Sequence, residues 1–452
     1  MQKKEKFRNG EIVTVLDIGT TKVCVLTGRT NEYGKVEVLA EATVTSDGVL
    51  RGVIANIDKM VRAIGEAIAI CERKLGQSID KVHVGIAGKH IKALKHKGIL
   101  TREDTHIEIN KTDINKLIRD MYKLVLPPGD QIIHVFPQEF TVDNEQGISD
   151  PIGMSGIRLE ADFHIVTGQI TATNNITRCV KRCGLEVGDI TLEPIASSEA
   201  LLSEEEKEAG VALVDIGGGT TDIAIFQEGI LRHTAVIPFG GDVITKDIRE
   251  GCNVMNHMAE KLKVQHGKAL AVEAFGNRVI VIPGLKGRDS KEITEKNLAR
   301  IIQARVEEIF DFIVHEINKS GYSRKLIGGI VLTGGGALLN NIKDLSSMCT
   351  GYDTRIGYPV EQLAHGYNER LHSPLYATSI GLLIKALNDY PYEEEEELIE
   401  TKTEEPAEIP PSLETEINEN EEEDLPKGKG IFQSIFDGAK DFFLEKKDTD
   451  FD

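Results

Sequence analysis

The chain lacks several features that would each point to a compartment or a chemistry. No apolar run approaches the roughly 18–20 residues that cross a bilayer as a helix, and the N-terminal MQKKEKFRNGE is basic without the apolar stretch of a secretory signal. The six cysteines (24, 71, 179, 183, 252 and 349) form no CxxC pair and no metal-ligand spacing. Cys179 and Cys183 sit one helical turn apart without a nearby histidine partner and read as packing. His83, His90, His96, His106, His134 and His164 are scattered, which leaves them surface or satisfied core roles. Together these absences predict a reduced, cytosolic protein.

A basic excess is missing too, so no nucleic-acid partner is expected. The formal net charge is −20. Residues 393–424 alone hold 16 acids against Lys402, so the other 57 acids and 52 bases leave the rest of the chain near −5. At 452 residues, 40% hydrophobic and 28% charged, the chain is long enough for two to four soluble domains.

What is present is a repeated glycine turn. In Val211–Phe226, VALVDIGGGTTDIAIF, an apolar run ends in Asp215, passes Gly217, Gly218, Gly219 and Thr220, and resumes after Asp222. Apolar–turn–apolar with β-branched flanks predicts two paired strands. Consecutive glycines at the tip let backbone amides approach a ligand, with phosphate the usual one. Carboxylates beside a phosphate make sense when a divalent cation such as Mg²⁺ sits between them, held through water. Taken alone, such glycines could serve only the turn. However, Val13–Gly28, VTVLDIGTTKVCVLTG, repeats the pattern, with Asp17 in place of Asp215 and then Gly19, Thr20, Thr21 and Lys22. Two related α/β halves, each with an acid-tipped hairpin, could hold one nucleotide between them.

Along the rest of the chain, Lys35–Val44 and Lys81–Ala87 read as strands and Ile57–Leu75 as a helix stopped by Gly76. Residues from about 88 change texture. Short alternating segments (98–101, 105–109, 131–136, 139–142) surround a helix at 111–123, as in a small α+β module inserted in the first half. Helices are expected at 174–184, 242–250, 258–264 and 293–320, a turn at 207–210 and strand-like chain at 269–286. A third glycine loop, Gly334, Gly335 and Gly336, follows a buried strand in Ile327–Asn341 at a predicted strand-to-helix junction.

Three such loops in this order resemble the actin/Hsp70/sugar-kinase ATPase superfamily. Within it, HVFPQEFTVD (134–143), GISDPIGMSGIRLEAD (147–162), RCGLEVGDI (182–190), IASSEALL (195–202), LRHTAVIPFGGDVITKDI (231–248) and KVQHGKA (263–269) resemble the FtsA cell-division family over about residues 10–390. The resemblance implies an actin-like fold with an inserted SHS2-type domain. Its expected layout is subdomain 1A in 1–81, 167–208 and 370–389, the insert 1C in 82–166, 2A in 209–240 and 301–369, and 2B in 241–300. It further implies ATP and Mg²⁺ as cofactors, with Asp17, Gly19, Thr20, Thr21 and Lys22 on phosphates and metal, and Asp215, Gly217, Gly218, Gly219 and Thr220 as the second phosphate loop. Glu260 and Lys263 would flank adenine and ribose, and Gly334–Gly336 would close the adenosine side. Glu193 falls where related ATPases keep a water-orienting acid that many members of this family lack; its presence favours hydrolysis, expected to be slow at most.

The segment 390–430 is acidic, proline-containing and poor in aromatics, the composition of a disordered linker spanning roughly 35 Å. Beyond it, 431–447 (IFQSIFDGAKDFFLEKK) regains helical period. Ile431, Phe432, Ile435, Phe436, Phe442 and Phe443 fall within an arc of about 140°, and Lys440 and Lys447 border it. Such a stripe after a tether predicts an interfacial helix on an anionic membrane surface, folding on binding. A partner protein is the alternative occupant. The resemblance adds self-association into filaments, a contact with the C-terminal peptide of the ring protein FtsZ, and recruitment of later division proteins at the septum. A PilM-like actin homologue and a metabolic kinase of the same superfamily are the rival readings.

Overall fold

The computed structural model describes residues 10–102, 107–284 and 289–389. The linker 390–430, the segment 431–447 and the membrane-facing residues assigned to it lie outside the described residues.

The first hairpin forms as its β-branched flanks dictate. β1 (Val13–Ile18) and β2 (Lys22–Thr30) pair antiparallel, followed by β3 (Val36–Thr45), the short ribbon β4 (Val49–Leu50) and β5 (Val53–Ile54), α1 (Ile57–Leu75) and β6 (Lys81–Ile86). Asn56 caps α1 by accepting the Lys59 amide, and Gly76 closes its other end at φ 73°. The insert follows as β7 (Lys92–Thr101), α2 (Lys111–Met121), β8 (Asp130–Val142), β9 (Glu145–Ile148) and β10 (Arg158–Gln169). The chain then returns through α3 (Ile170–Arg182), β11 (Glu186–Leu192), α4 (Glu193–Leu201) and α5 (Glu204–Ala209). The second half holds β12 (Val211–Ile216), β13 (Thr221–Gln227), β14 (Ile230–Ile237), α6 (Gly241–Cys252), α7 (Asn256–His266), β15 (Val279–Ile282), β16 (Lys291–Thr294), α8 (Glu295–Ser320), β17 (Ile330–Thr333), α9 (Ile342–Thr350) and β18 (Thr354–Ile356). Finally α10 (Ala377–Asp389) crosses back to pack on β1, β2 and α4.

The two main sheets have one topology. Their orders are β3-β2-β1-β6-β11 and β14-β13-β12-β17-β18, each an antiparallel meander continued by two parallel strands. α1 and α3 cover the outer face of the first sheet, α6 to α9 that of the second, and α4 and α10 fill the space between them. The insert is a separate four-stranded sheet, β7-β10-β8-β9, whose core gathers Leu117 and Met121 of α2 against Phe140, Leu159 and Phe163.

Several local expectations are corrected. β6 pairs with β1, so the strand at 81–86 belongs to the first sheet and the insert begins after it, not at 82. Residues 107–109 carry no strand. The two short strands expected at 131–136 and 139–142 are one 13-residue strand, because Pro137, which has no amide to give, sits at a register shift of the ladder. The turn at 207–210 is a helix end, since Ser203 and Glu206 form a capping box that starts α5 and Gly210 stops it. Among the described residues of 269–286 only Val279–Ile282 is a strand, after a short 3₁₀ turn at Ala271–Glu273. His90 is buried with neither ring nitrogen hydrogen-bonded among the described residues, so it is not a satisfied core histidine. Cys183 packs from α3 onto α1, its Sγ 3.4 Å from the Val61 carbonyl, as a packing role requires.

The crossing of α4 and α10 is the tightest test of this core. A Cβ at Gly381 would lie 1.8 Å from the Ala196 carbonyl oxygen. Gly381→Ala should therefore destabilise the protein by about 1–3 kcal/mol or more, although alanine is the better helix former by about 1 kcal/mol. Urea unfolding measures this, and a gain in stability would contradict the close crossing.

Candidate functional site

Both hairpin turns are built alike. The Gly19 amide donates to the Lys22 carbonyl and the Gly217 amide to the Thr220 carbonyl, each at 2.9 Å. Asp17 sits opposite Cys24 in one hairpin and Asp215 opposite Asp222 in the other. The turns meet at van der Waals limits: a Cβ on Gly218 would lie 2.6 Å from Thr21 Cγ2, and one on Gly219 2.8 Å from Thr20 Oγ1. The amides of Thr20, Thr21, Gly218 and Gly219 find no acceptor among the described residues.

Around these turns lies a cavity of about 380 Å³, in the range of small-molecule sites. It is lined by Asp17, Gly19, Thr20, Thr21, Lys22, Glu193, Asp215, Gly217, Gly218, Thr220, Glu260, Lys263, Gly334, Gly335 and Gly336, all expected from the sequence. Gly219 does not line it; its missing side chain serves the approach to Thr20 and to the backbone of Arg51. The third loop is not a helix start but a 3₁₀ turn, Gly335–Leu338, with α9 beginning only at Ile342. Gly334 adopts φ 82°, and a Cβ there would meet Asp215 Oδ1 at 2.2 Å, so this position tolerates only glycine.

The cavity is polar at one end and apolar at the other. Asp17 pairs with Lys22 at 3.2 Å and accepts the Ser379 hydroxyl at 2.6 Å. Asp215 Oδ2 accepts hydroxyls from Thr378 at 3.2 Å and Ser197 at 3.5 Å. Asp222 accepts the Thr220 hydroxyl at 2.9 Å on one oxygen, while the other is buried without a donor among the described residues. Glu193 opens α4, its carboxylate facing Gly85 of β6. Burial, then the Asp17 charge, pushes Asp215 up to about 6; burial, then Asp215, pushes Asp222 up to about 7. Burial, together with Asp17, Asp222 and Asp215, raises Glu193 well above the usual carboxylate range. Burial opposes the charge on Lys22, yet Asp17 holds it above its ordinary range. On the other wall, Lys263 donates to the Gly241 carbonyl (2.9 Å) and to Thr245 (2.8 Å) and pairs with Glu260 at 2.8 Å. Val264, Ile309, Leu338 and Leu339 supply the apolar lining.

Sequence reasoning missed the clamp from behind. Ser197, Thr378 and Ser379 grip the paired acids from their helices. A run of small hydroxyl residues inside helices, ASS at 196–198 and ATS at 377–379, was the available signal. It also missed the two-residue turn Arg51–Gly52, at φ 52° and 73°, whose Gly52 lines the cavity.

The residues fit a hydrated divalent cation. At its polar end Asp17, Glu193, Asp215 and Asp222 surround Lys22, and one carboxylate oxygen of Asp222 is buried without a donor among the described residues. Among the described residues no three acidic, histidine or cysteine side chains stand close enough to hold a metal alone. Such a set suits an ion that keeps waters and takes its remaining ligands from a bound phosphate.

The family model "Cell division protein FtsA" matches residues 212–381 and "SHS2 domain inserted in FTSA" matches 88–167. Cell division protein FtsA of Pseudomonas aeruginosa is 40% identical over 380 residues, covering 84% of this chain and 90% of that protein. The FtsA proteins of Bacillus subtilis and Escherichia coli K12 are 35% and 32% identical over 377 and 385 residues, covering 83% and 84% of this chain and 84% and 91% of their own lengths. Among solved structures, the PilM-PilN type IV pilus biogenesis complex aligns with TM-score 0.62 at 15% identity over 83% of this chain and 98% of that one. MreB 5 of Spiroplasma citri bound to AMPPNP aligns with TM-score 0.50 at 15% identity over 83% and 96%. These likenesses at low identity establish the actin-like fold.

The raised aspartates set a pH dependence. Stability from protonating Asp222 is complete below the ordinary aspartate range, about 3.9, and is lost as pH rises through about 7. Buried His164, pushed down to about 4 by burial, His233 and Lys95, gives the opposite slope, so the test is a difference between variants. In denaturant unfolding without nucleotide, Asp222→Asn should gain about 1–2 kcal/mol over wild type between pH 5.5 and pH 8. An equal difference at both pH values would show that Asp222 is ionised throughout.

Proposed function

Since the chain belongs to the FtsA family of cell division proteins, we propose that it binds Mg-ATP between its two halves and works as a nucleotide-gated adaptor at the septum. In this reading it self-associates on the cytoplasmic face of the membrane, holds the C-terminal peptide of FtsZ there and recruits later division proteins. Among the described residues no helix is long and apolar enough to cross a membrane. In this reading attachment falls to the apolar sequence stripe Ile431, Phe432, Ile435, Phe436, Phe442 and Phe443 with Lys440 and Lys447.

One observation carries the nucleotide part: two turns of the same construction converge on one cavity that a third glycine turn closes. Free amides at 20–21 and 218–219 suit phosphate oxygens, and Lys22 adds a point charge. Magnesium, when bound through water near Asp17 and Asp215, would neutralise phosphate charge. Glu260 and Lys263 stand beside the apolar wall where an adenosine would lie. Glu193 is the candidate for orienting a water. Burial and the neighbouring Asp17, Asp222 and Asp215 disfavour its ionised form, a reason to expect slow turnover.

Asp215→Ala should weaken Mg-ATP at least tenfold in a titration, about 1.4 kcal/mol, and equal affinity would discredit the shared-cation site. For the adaptor part, full-length protein and a 1–425 truncation are sedimented with anionic vesicles, with and without Mg-ATP. Only the full chain should pellet, and Phe436→Glu with Phe443→Glu should release it while ATP binding persists. Unchanged co-sedimentation of that double variant would sink the membrane reading.

A further inference from the structure

The insert belongs to the first half by chain order, yet it touches the second. β14 lies against β7, β8 and β10. The register shift at Pro137 turns the next two residues that way: Gln138 Nε2 donates to the Leu231 carbonyl at 2.8 Å, and Glu139 stands 3.5 Å from the buried guanidinium of Arg232. From β10, the buried His164 shares a hydrogen bond of 3.0 Å with the Thr234 hydroxyl. Its ring centroid is 6.5 Å from that of His233, whose Nε2 lies 3.5 Å from Glu316 without hydrogen-bond alignment.

The same rings continue toward the cleft. Phe136 stands 6.5 Å from His164 and His134 5.7 Å from Phe136, centroid to centroid. His134 Nε2 accepts the amide of Leu192 at 3.1 Å. Leu192 is buried, ends β11, and precedes Glu193 in the unassisted cap of α4. Contiguous packing and hydrogen bonds therefore run from β14, through the insert, to the residue before the acid that faces the paired aspartates. Burial next to His233 and Lys95 keeps His164 neutral at physiological pH, so its contact with Thr234 is a fixed packing element and not a titrating one.

We propose that this run makes the insert a regulator of the nucleotide site: the docking of β14 on the insert sets His134, and His134 sets Glu193 through the Leu192 amide. The proposal rests on the reading of the cleft as a nucleotide site. His134 is a positioning residue, since its ring touches the Leu192 backbone and not the cavity. A nucleotide that changes the angle between the halves must move β14 against the insert, and a small displacement of a catalytic group costs rate far more than affinity.

The test uses the full-length protein with four variants, His134→Gln, His134→Leu, Thr234→Val and Glu193→Gln. Turnover of Mg-ATP, affinity for Mg-AMPPNP and amide exchange of residues 230–237 with and without Mg-AMPPNP are read for each. His134→Leu and Thr234→Val should lower kcat by about three- to thirtyfold with affinity within twofold. His134→Gln, which keeps an acceptor, should recover most of the rate, and His134→Leu with Thr234→Val should be no worse than His134→Leu alone. Mg-AMPPNP should alter exchange at 230–237 in wild type and not in His134→Leu. If Glu193→Gln stops turnover while His134→Leu turns over as wild type and keeps the exchange response, the coupling is refuted and the nucleotide reading survives. Should His134→Leu fail to fold, Thr234→Val decides, an unchanged kcat refuting the coupling. Turnover indifferent to Glu193→Gln removes the positioning role as well, and failure of wild type to bind Mg-AMPPNP removes both readings.

Discussion

A buried aspartate and a half-buried one, Asp17 and Asp215, facing one lysine are the constraint that the rest of this structure serves. Left alone, Asp17 and Asp215 would repel one another across a cleft with little water to screen them. The fold holds them with three hydroxyls from two helices: Ser379 on Asp17, and Thr378 with Ser197 on Asp215. Those helices, α4 and α10, are also what separates the two sheets. They must therefore cross closely enough to reach both strands at once, which explains why Gly381 meets Ala196 with no room for a methyl group. Core packing and site geometry are here the same requirement.

The duplicated halves diverge where their functions part. β6 and β17 hold equivalent places in their sheets. After β17 the chain makes the glycine turn that covers Asp215; after β6 it leaves for the insert and returns at α3. One copy of the same loop position thus serves the cavity and the other carries a domain. That domain bends back at Pro137 to reach β14, so an addition to one half became a contact with the other.

Much of this was legible from spacing. The acid-tipped turns are local: an apolar run, an aspartate, three or four residues of turn and another run leave few alternatives to a hairpin, and the repeat 198 residues later placed both acids on corresponding strands. α1 followed from its stripe and from Gly76. What escaped depends on tertiary pairing. A proline argues for two strands until a register shift accommodates it, and residues 81–86 could be read as the edge of either neighbouring sheet until β1 paired with them. The hydroxyl clamp left only the short runs ASS and ATS as a trace, because serine and threonine inside a helix carry no periodic signature and their acceptors lie as far away as 362 residues along the chain. Asp222 was legible as one of two acids bracketing the glycine turn; its burial directly opposite Asp215 came only with the strand pairing.

The inequality of the two turns has a further consequence. A cradle made from two copies of one hairpin is nearly symmetric about an axis between them, and a symmetric cradle would accept an elongated ligand in either sense. Here one turn ends in Lys22 and the other in Thr220, Cys24 in one strand answers Asp222 in the other, and the apolar wall stands beside the second half only. Charge and greasy surface are thus displaced to opposite ends of the pseudo-axis. The duplicated scaffold supplies the grip, and its imperfections supply head and tail, so that any molecule with one anionic and one flat apolar end has a single way to lie in it.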